Sequence, residues 1–344
     1  MIITQTSHRL SLCGGGSDYK SWYTNHGGIV VGGTLNQHSY VSARFLPPFH
    51  TYKTRVVYSD IETVQENREI QHRAIRACLE YLGWDGPEAP GLEIFHAADL
   101  PGRSGTGSSS TFVVGLLNAI AALKGRRMLP AELAEAAIHV EQVMMGETVG
   151  CQDQTWAAYG GLNVIKFQTN GNINVYPLLL NHGQIEELEW HLLLFFTGIS
   201  RTSSDVAKTY AAELGTPAKS RDQWAMIRLA EHAVPAIENG QYEKLGQLID
   251  QSWRIKSGLS SAVSNDKISA MYASARVHGA WGGKITGAGG GGSLILVAPP
   301  SKHSDIVSRM EELGATHIPF RFSFSGSQVI FAEKGNINEY RPKP

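Results

Sequence analysis

Hydrophobic and polar positions along this chain switch between the strand period and the helix period in a mixed order. Gly91-Leu92-Glu93-Ile94-Phe95-His96 reads as a strand, and Phe112 to Leu123 is apolar almost all round, the pattern of a buried helix. Earlier, Val30 to Leu35 and Tyr40 to Phe45 read as strands of a twisted sheet, and 65–82 carries an amphipathic helical pattern. Pro130 starts a further helix that runs to about Met145. A buried strand at His191 to Thr197 precedes amphipathic helices at about 205–214, 222–239, 241–252 and 264–279. The strand Leu294 to Val297, a helix at 301–313 and a closing strand near Gln328 to Phe331 suggest a ferredoxin-like second domain. Strands and helices mix without regular βαβ repetition, so α+β is the expected class. A composition shift near 181–190 marks a junction, giving an N-terminal domain over 1–185 and a C-terminal domain over 186–344.

Composition narrows the function classes. The 344 residues, 42% apolar and 18% charged, can build two cores of ordinary globular type. Lys+Arg 30 against Asp+Glu 31 leaves no global basicity, which counts against nucleic acid as the main partner. The longest apolar run, 112–123, is too short to span a bilayer and is interrupted by Asn118, so no membrane association is expected. Cys13, Cys78 and Cys151 are odd in number and widely spaced. They suggest neither a disulfide framework nor a zinc site, and fit a reducing cytoplasm.

The candidate chemistry sits in three glycine-rich stretches and two carboxylates between them. Pro101-Gly102-Arg103-Ser104-Gly105-Thr106-Gly107-Ser108-Ser109-Ser110-Thr111 feeds the buried helix. Free backbone N–H groups and the positive end of a helix dipole there make an anion site. Ser108 stands where a Walker A loop needs Lys, and the glycine spacing fails the dinucleotide fingerprint, which disfavours an oxidoreductase. Gly14-Gly15-Gly16-Ser17-Asp18 makes a tight turn presenting Asp18, either to vicinal hydroxyls of a sugar or as a solvated turn residue. On a helical wheel Glu141 falls amid Leu133, Ala134, Ala137, Ile138, Val140, Met144 and Met145. A carboxylate on that face needs a salt bridge or a metal ion. Asp153 lies among small and aromatic residues, suited to taking a proton or to capping a helix. Arg201-Thr202-Ser203-Ser204 could hold a second phosphate or simply cap a helix through Ser204. The last cluster, Lys284 to Ser293, carries so many glycines against a strand that a ligand or another backbone must approach closely.

Taken together, these motifs resemble the GHMP kinase superfamily (galacto-, homoserine, mevalonate and phosphomevalonate kinases) over nearly the whole chain. The family's Pro-x-x-x-Gly-Leu-Gly-Ser-Ser-Ala motif matches Pro101 to Ser110, with Thr106 replacing Leu and Ser110 replacing Ala. Its third motif matches 284–292, and Arg9 and Asp18 keep the Arg-to-Asp separation of galactokinases. The Glu-His pair of galactokinases is absent. Gly14 to Asp18, with Gly146-Glu147-Thr148-Val149-Gly150-Cys151-Gln152-Asp153-Gln154-Thr155-Trp156, is similar to the D-glycero-D-manno-heptose 7-phosphate kinases.

The resemblance implies a two-domain architecture, an N-terminal nucleotide-binding domain and a ferredoxin-like C-terminal one, and ATP and Mg2+ as cofactors. It puts ATP phosphates on Pro101, Gly102, Ser104, Gly105, Thr106, Gly107, Ser108, Ser109 and Ser110, with Gly287, Gly289 and Gly290 lining the site. Magnesium would be held by Ser109 and Glu141, and Asp153, beside Arg9, would accept the proton of the sugar hydroxyl. Asp18, Gly15 and Gly16 would grip the sugar, and Arg201 is the candidate for its phosphate. A nucleotide- or sugar-binding homologue without catalysis is the rival class; the presence of Arg9, Glu141 and Asp153 together speaks against it. Another sugar, such as fucose or an unphosphorylated hexose, is the rival substrate. Monomer and homodimer are both open.

Overall fold

The structure is a computed structural model in which residues 1–199, 216–259 and 263–333 are described. Two β-sheets organise it. The first has nine strands, and its main path runs Gln328–Ala332, Ile2–Cys13, Gly28–Phe45, Leu92–Ala98, Thr54–Val57, Ile61–Val64. The expected strands at 30–35 and 40–45 are one continuous strand, Gly28–Phe45. Its far half pairs with Leu92–Ala98 and its near half with Leu162–Phe167, which in turn pairs with Ile173–Pro177. All pairings in this sheet are antiparallel except that of Thr54–Val57 with Leu92–Ala98. That is the geometry of an α+β fold.

The helix Ser108–Leu123 packs on this sheet and is buried almost all round, as its composition requires. Thr4 Oγ1 donates to the Gly115 carbonyl at 2.9 Å, and Asn118, the polar interruption, donates to the Ser327 carbonyl at 3.2 Å. The helix expected over 65–82 is shorter: a 3₁₀ turn Asn67–Glu69, then Arg73–Tyr81 with His72 accepting from the Ile75 N–H. Glu66 and Glu69 cap one another's backbone at the start of that first turn.

The second sheet is antiparallel, ordered Thr316–His317, Leu192–Phe196, Ser293–Val297, Gly282–Ile285. Helices Asp266–Val277 and His303–Glu312 cover one face through Ile268, Met271, Ile306 and Met310. Helices Pro217–Glu238 and Tyr242–Leu259 join the two sheets. Leu10, Leu12 and Trp156 lie in the same buried cluster as Ile227, Leu245, Leu194 and Ile295, so the apolar core is continuous between the halves.

One expectation is overturned. The strand Gln328–Ala332 does not close the second sheet; it pairs with Ile2–Cys13 at an edge of the first, and Phe322–Ser323 pairs with Gly28–Phe45. Pairing partner is a long-range property that strand composition does not encode. Among the described residues no helix is long and apolar enough to cross a membrane. The expected helix at 205–214 lies outside the described residues.

Candidate active site

The pairing of Ile2–Cys13 with Gly28–Phe45 shifts register between Ser7 and Arg9, an irregularity of the kind that re-aims a side chain. Arg9 follows that shift, its backbone paired with Thr34. It donates from Nε and Nη2 to the two carboxylate oxygens of Asp153 at 2.7 and 2.6 Å, and from Nη1 to the Gly105 carbonyl at 2.5 Å. Arg9 is buried and Asp153, in the first turn of the helix Gln152–Tyr159, is half-buried. A two-point fork of this kind fixes the plane of the carboxylate as well as its position.

The same pair touches the glycine loop. Gly107, at φ 76°, precedes the helix Ser108–Leu123 in the left-handed region, and no side chain caps that helix. Its first N–H groups and its dipole are therefore available to an anion. A Cβ on Gly107 would lie 3.0 Å from Arg9 Cγ and 3.3 Å from Asp153 Oδ2, so the loop and the ion pair are in contact. Behind the loop, Ser104 Oγ bonds Thr106 Oγ1 at 2.6 Å and Ser108 Oγ at 3.1 Å, and Thr106 Oγ1 bonds His8 Nδ1 at 3.2 Å. Burial pushes His8 down to about 4, so it remains a neutral partner in this chain of hydroxyls.

Glu141 answers the question its wheel position raised. The helix Pro130–His139 continues as a π-helical turn, Val140–Met144, in which the Met145 N–H reaches back to the Val140 carbonyl at 2.9 Å. Glu141, 1% exposed, accepts from Ser109 Oγ at 3.0 Å, Ser110 Oγ at 2.7 Å and Gln154 Nε2. Among the described residues no cation pairs with it. Burial pushes the carboxyl up to about 7 against the pull of those hydrogen bonds. A buried carboxylate beside two serine hydroxyls, without a protein cation, is a hard oxygen donor set of the kind magnesium takes.

Asp18, 1% exposed, accepts from the Gly16 N–H at 2.9 Å and the Gln152 N–H at 3.3 Å. It thus braces the first glycine turn against the segment carrying Asp153, while still lining the cleft. Burial and the Asp153 charge push its carboxyl above the ordinary range. From the second sheet, Thr286 Oγ1 donates to the Gly105 carbonyl and Ser293 Oγ to the Ser104 carbonyl, both at 2.8 Å. These bonds join the third glycine stretch to the second.

A cleft of about 380 Å³, within the range of roughly 300–1,000 Å³ usual for small-molecule sites, gathers most of these residues. Arg9, Gly15, Gly16, Asp18, Gly105, Gly107, Ser108, Ser109, Ser110, Glu141, Asp153, Gly287 and Gly289 line it. Pro101 and Gly102 do not: they are exposed outside its wall. Ser104 and Thr106 do not either, because they are buried in the hydroxyl chain behind the loop. Gly290 is turned away, its N–H donating to the Val263 carbonyl at 2.7 Å. Arg201 and its Thr-Ser-Ser neighbours lie outside the described residues.

Among the lining residues given no role in the sequence reading are two lysines, Lys256 and Lys284, the latter quoted only as the start of the third motif. Lys256 comes from the helix Tyr242–Leu259 and donates to the Gly287 carbonyl at 2.5 Å; Lys284 comes from the strand Gly282–Ile285. Burial, then the neighbouring Lys284 and Arg9 charges, push Lys256 down to about 7, against Asp18 and Asp153. Burial likewise pushes Lys284 down to about 8. Between those values and the ordinary 10.5 the unfolded chain binds more protons than the folded one, so stability rises with pH across that window. Below about 7 the cost of the buried charges is present in full. Lys256→Met and Lys284→Met are accordingly expected to raise the melting temperature, with a gain that shrinks between pH 6.5 and 10. Thermal melts across that range check it.

Comparison with known proteins fits this geometry. Residues 69–161 match the family description "GHMP kinases N terminal domain" and residues 233–316 match "GHMP kinases C terminal". A D-glycero-alpha-D-manno-heptose 7-phosphate kinase of Campylobacter jejuni is 28% identical over 94% of this chain and 97% of its own. A mevalonate kinase of Pyrococcus furiosus is 29% identical over 70% of this chain and 69% of its own. The crystal structure of a D-glycero-D-manno-heptose 1-phosphate kinase from Bacteroides thetaiotaomicron superposes with a TM-score of 0.80 at 22% identity, covering 97% of this chain and 100% of that one. With both domains matched, the chain belongs to the GHMP kinase superfamily, whose members are ATP-dependent phosphotransferases.

Proposed function

We propose that this kinase transfers the γ-phosphoryl group of ATP to the anomeric hydroxyl of D-glycero-D-manno-heptose 7-phosphate, giving the 1,7-bisphosphate in nucleotide-activated heptose synthesis. The observation that carries the phosphotransfer chemistry is the contact of the Arg9–Asp153 pair with Gly107, which puts a proton acceptor against the start of an anion-binding helix. The choice of heptose phosphate rests on the full-length likeness to the Campylobacter kinase. The three cysteines, all buried free thiols, agree with a cytoplasmic site of action.

In this reading the sugar hydroxyl oxygen attacks the γ-phosphorus as the bond to the β–γ bridging oxygen breaks. ADP leaves, and the hydroxyl proton passes to an Asp153 carboxylate oxygen. Arg9 holds that carboxylate in plane through two hydrogen bonds. The loop N–H groups and the helix dipole carry the charge of the donor phosphates. Ser109 and Glu141 would hold magnesium, which when bound neutralises charge on the β- and γ-phosphates. Among the described residues no three His, Cys, Asp or Glu side chains cluster, so the remaining ligands would come from phosphate and water, as is usual for this ion.

A coupled ADP-release assay with Mg-ATP and heptose 7-phosphate, mannose, fucose and galactose tests the proposal. Turnover on the heptose phosphate alone supports it; turnover only on an unphosphorylated sugar overturns the substrate, and silence on every sugar overturns the sugar-kinase reading.

Gly150 supplies an indirect check on the role of Asp18. A Cβ at Gly150 would lie 1.8 Å from Asp18 Oδ2 and 2.4 Å from its Cγ. Gly150→Ala must swing the Asp18 carboxylate off the Gly16 and Gln152 N–H groups. It is expected to copy Asp18→Ala, raising the sugar KM about tenfold or more, the scale of losing a charged hydrogen bond, with the ATP KM little changed. Parallel changes in both KM values would remove Asp18 from the sugar side.

A further inference from the structure

The donor phosphates have their own provision for negative charge in the uncapped helix start. The second half of the fold brings to the same cleft two ammonium groups that this chemistry does not use. Lys256 is half-buried and Lys284 buried, and both line the cleft. Among the described residues neither forms an ion pair, and their ammonium groups make one hydrogen bond, from Lys256 Nζ to the Gly287 carbonyl. A lysine has three N–H donors, so donor capacity is left over in a partly dry place. The neighbouring charges are Arg9, Asp18 and, for Lys256, Asp153, with the Cys13 thiol near Lys284; that makes three cations against two carboxylates. Arg9 is already committed to Asp153, leaving two ammonium groups to be balanced by the single carboxylate of Asp18.

We propose that Lys256 and Lys284 form an anion subsite on the acceptor side of the cleft that binds the oxygens of a phosphate monoester carried by the sugar. The inference rests on the sugar-kinase reading and deepens it by assigning the residues that receive the acceptor's phosphate. Both lysines belong to the second half of the fold, from one helix and one strand. Recognition of the acceptor's phosphate is thereby built on the half of the fold that does not carry the 101–111 loop. The cost of holding two like charges close together is offset when a dianion enters between them. The depressed ammonium groups are what such a site looks like without its anion.

The test is steady-state kinetics of the full chain and of Lys256→Met, Lys284→Met and Lys256→Arg, with heptose 7-phosphate and the matching unphosphorylated heptose. Each Met variant is expected to raise the KM for the phosphorylated sugar tenfold or more, leaving the KM for ATP and for the unphosphorylated sugar within about twofold. Lys256→Arg is expected to recover much of the loss. If turnover falls equally on both sugars with all KM values unchanged, the lysines act on the phosphoryl group in transit and the acceptor assignment is overturned. Unchanged parameters also overturn it. A parent enzyme inactive on both sugars would instead sink the reading on which the inference rests. Should a Met variant fail to fold, inorganic phosphate with the parent enzyme decides. Inhibition competitive with the sugar phosphate and not with ATP supports the subsite, and inhibition competitive only with ATP, or none, rejects it.

Discussion

Asp153→Asn is expected to lower turnover by about 10³-fold, inside the roughly 10²–10⁴ that a positioned general base contributes, while the ATP KM moves little. The amide matches the carboxylate in size, so the helix Gln152–Tyr159 and the loop at Gly107 need not move. What changes is chemistry. Arg9 now meets one oxygen and one NH2 group, and keeps one of its two bonds. The amide cannot take the hydroxyl proton at neutral pH. A modest fall in melting temperature follows from the lost half of the fork, because Arg9 is buried and still bonded to the Gly105 carbonyl. Asp18→Asn should act more mildly on turnover and more on sugar affinity, since Asp18 braces two backbone segments whereas Asp153 is the proposed proton acceptor. Rapid-quench measurement of the chemical step in the two variants separates these effects. Near-normal turnover of Asp153→Asn would end its role as proton acceptor.

Glu141→Gln should move activity and stability in opposite directions. Losing the one carboxylate at the Ser109 hydroxyl removes several kcal/mol of charge stabilisation by the held ion, so kcat/KM should fall on the order of 10²-fold or more. The folded protein, however, no longer buries an ionisable group whose carboxyl is pushed up to about 7. A neutral amide costs less to bury, and its oxygen can still accept from Ser110. The melting temperature should therefore hold or rise. Raising Mg2+ should restore part of the activity. A carboxylate kept only for structure predicts the reverse, a lower melting temperature with turnover intact, and calorimetry beside the kinetic assay distinguishes the two.

What could be read from the sequence was local. The glycine loop and its buried helix are contiguous, so spacing alone implied an anion site. Glu141 betrayed itself as a charge among apolar neighbours on a wheel, although the π turn that carries it leaves no mark in composition. Asp153 was found as a residue, but its fork with Arg9 joins positions 144 apart in the chain and came only from the family likeness. Lys256 was hidden for a different reason: lysine on an amphipathic helix is by default a solvated residue, and only the fold turns this one inward. Ser104 and Thr106 fit the loop motif as well as Ser108 does. Three dimensions alone separate the hydroxyls that face the cleft from those that support them.

The strand that returns from the end of the chain has a consequence for how the protein is made. Ile2 pairs with Ala332, and Gln5 with Gln328. On the ribosome, the strand Ile2–Cys13 thus waits with one edge bare until Gln328–Ala332 has been delivered. An unpaired edge is a template for wrong partners, and chains of this size expose such surfaces in transit. Halting translation near residue 320 should release a nascent chain that has both glycine stretches of its first half in place and still aggregates, whereas supplying residues 322–333 as a peptide should rescue it.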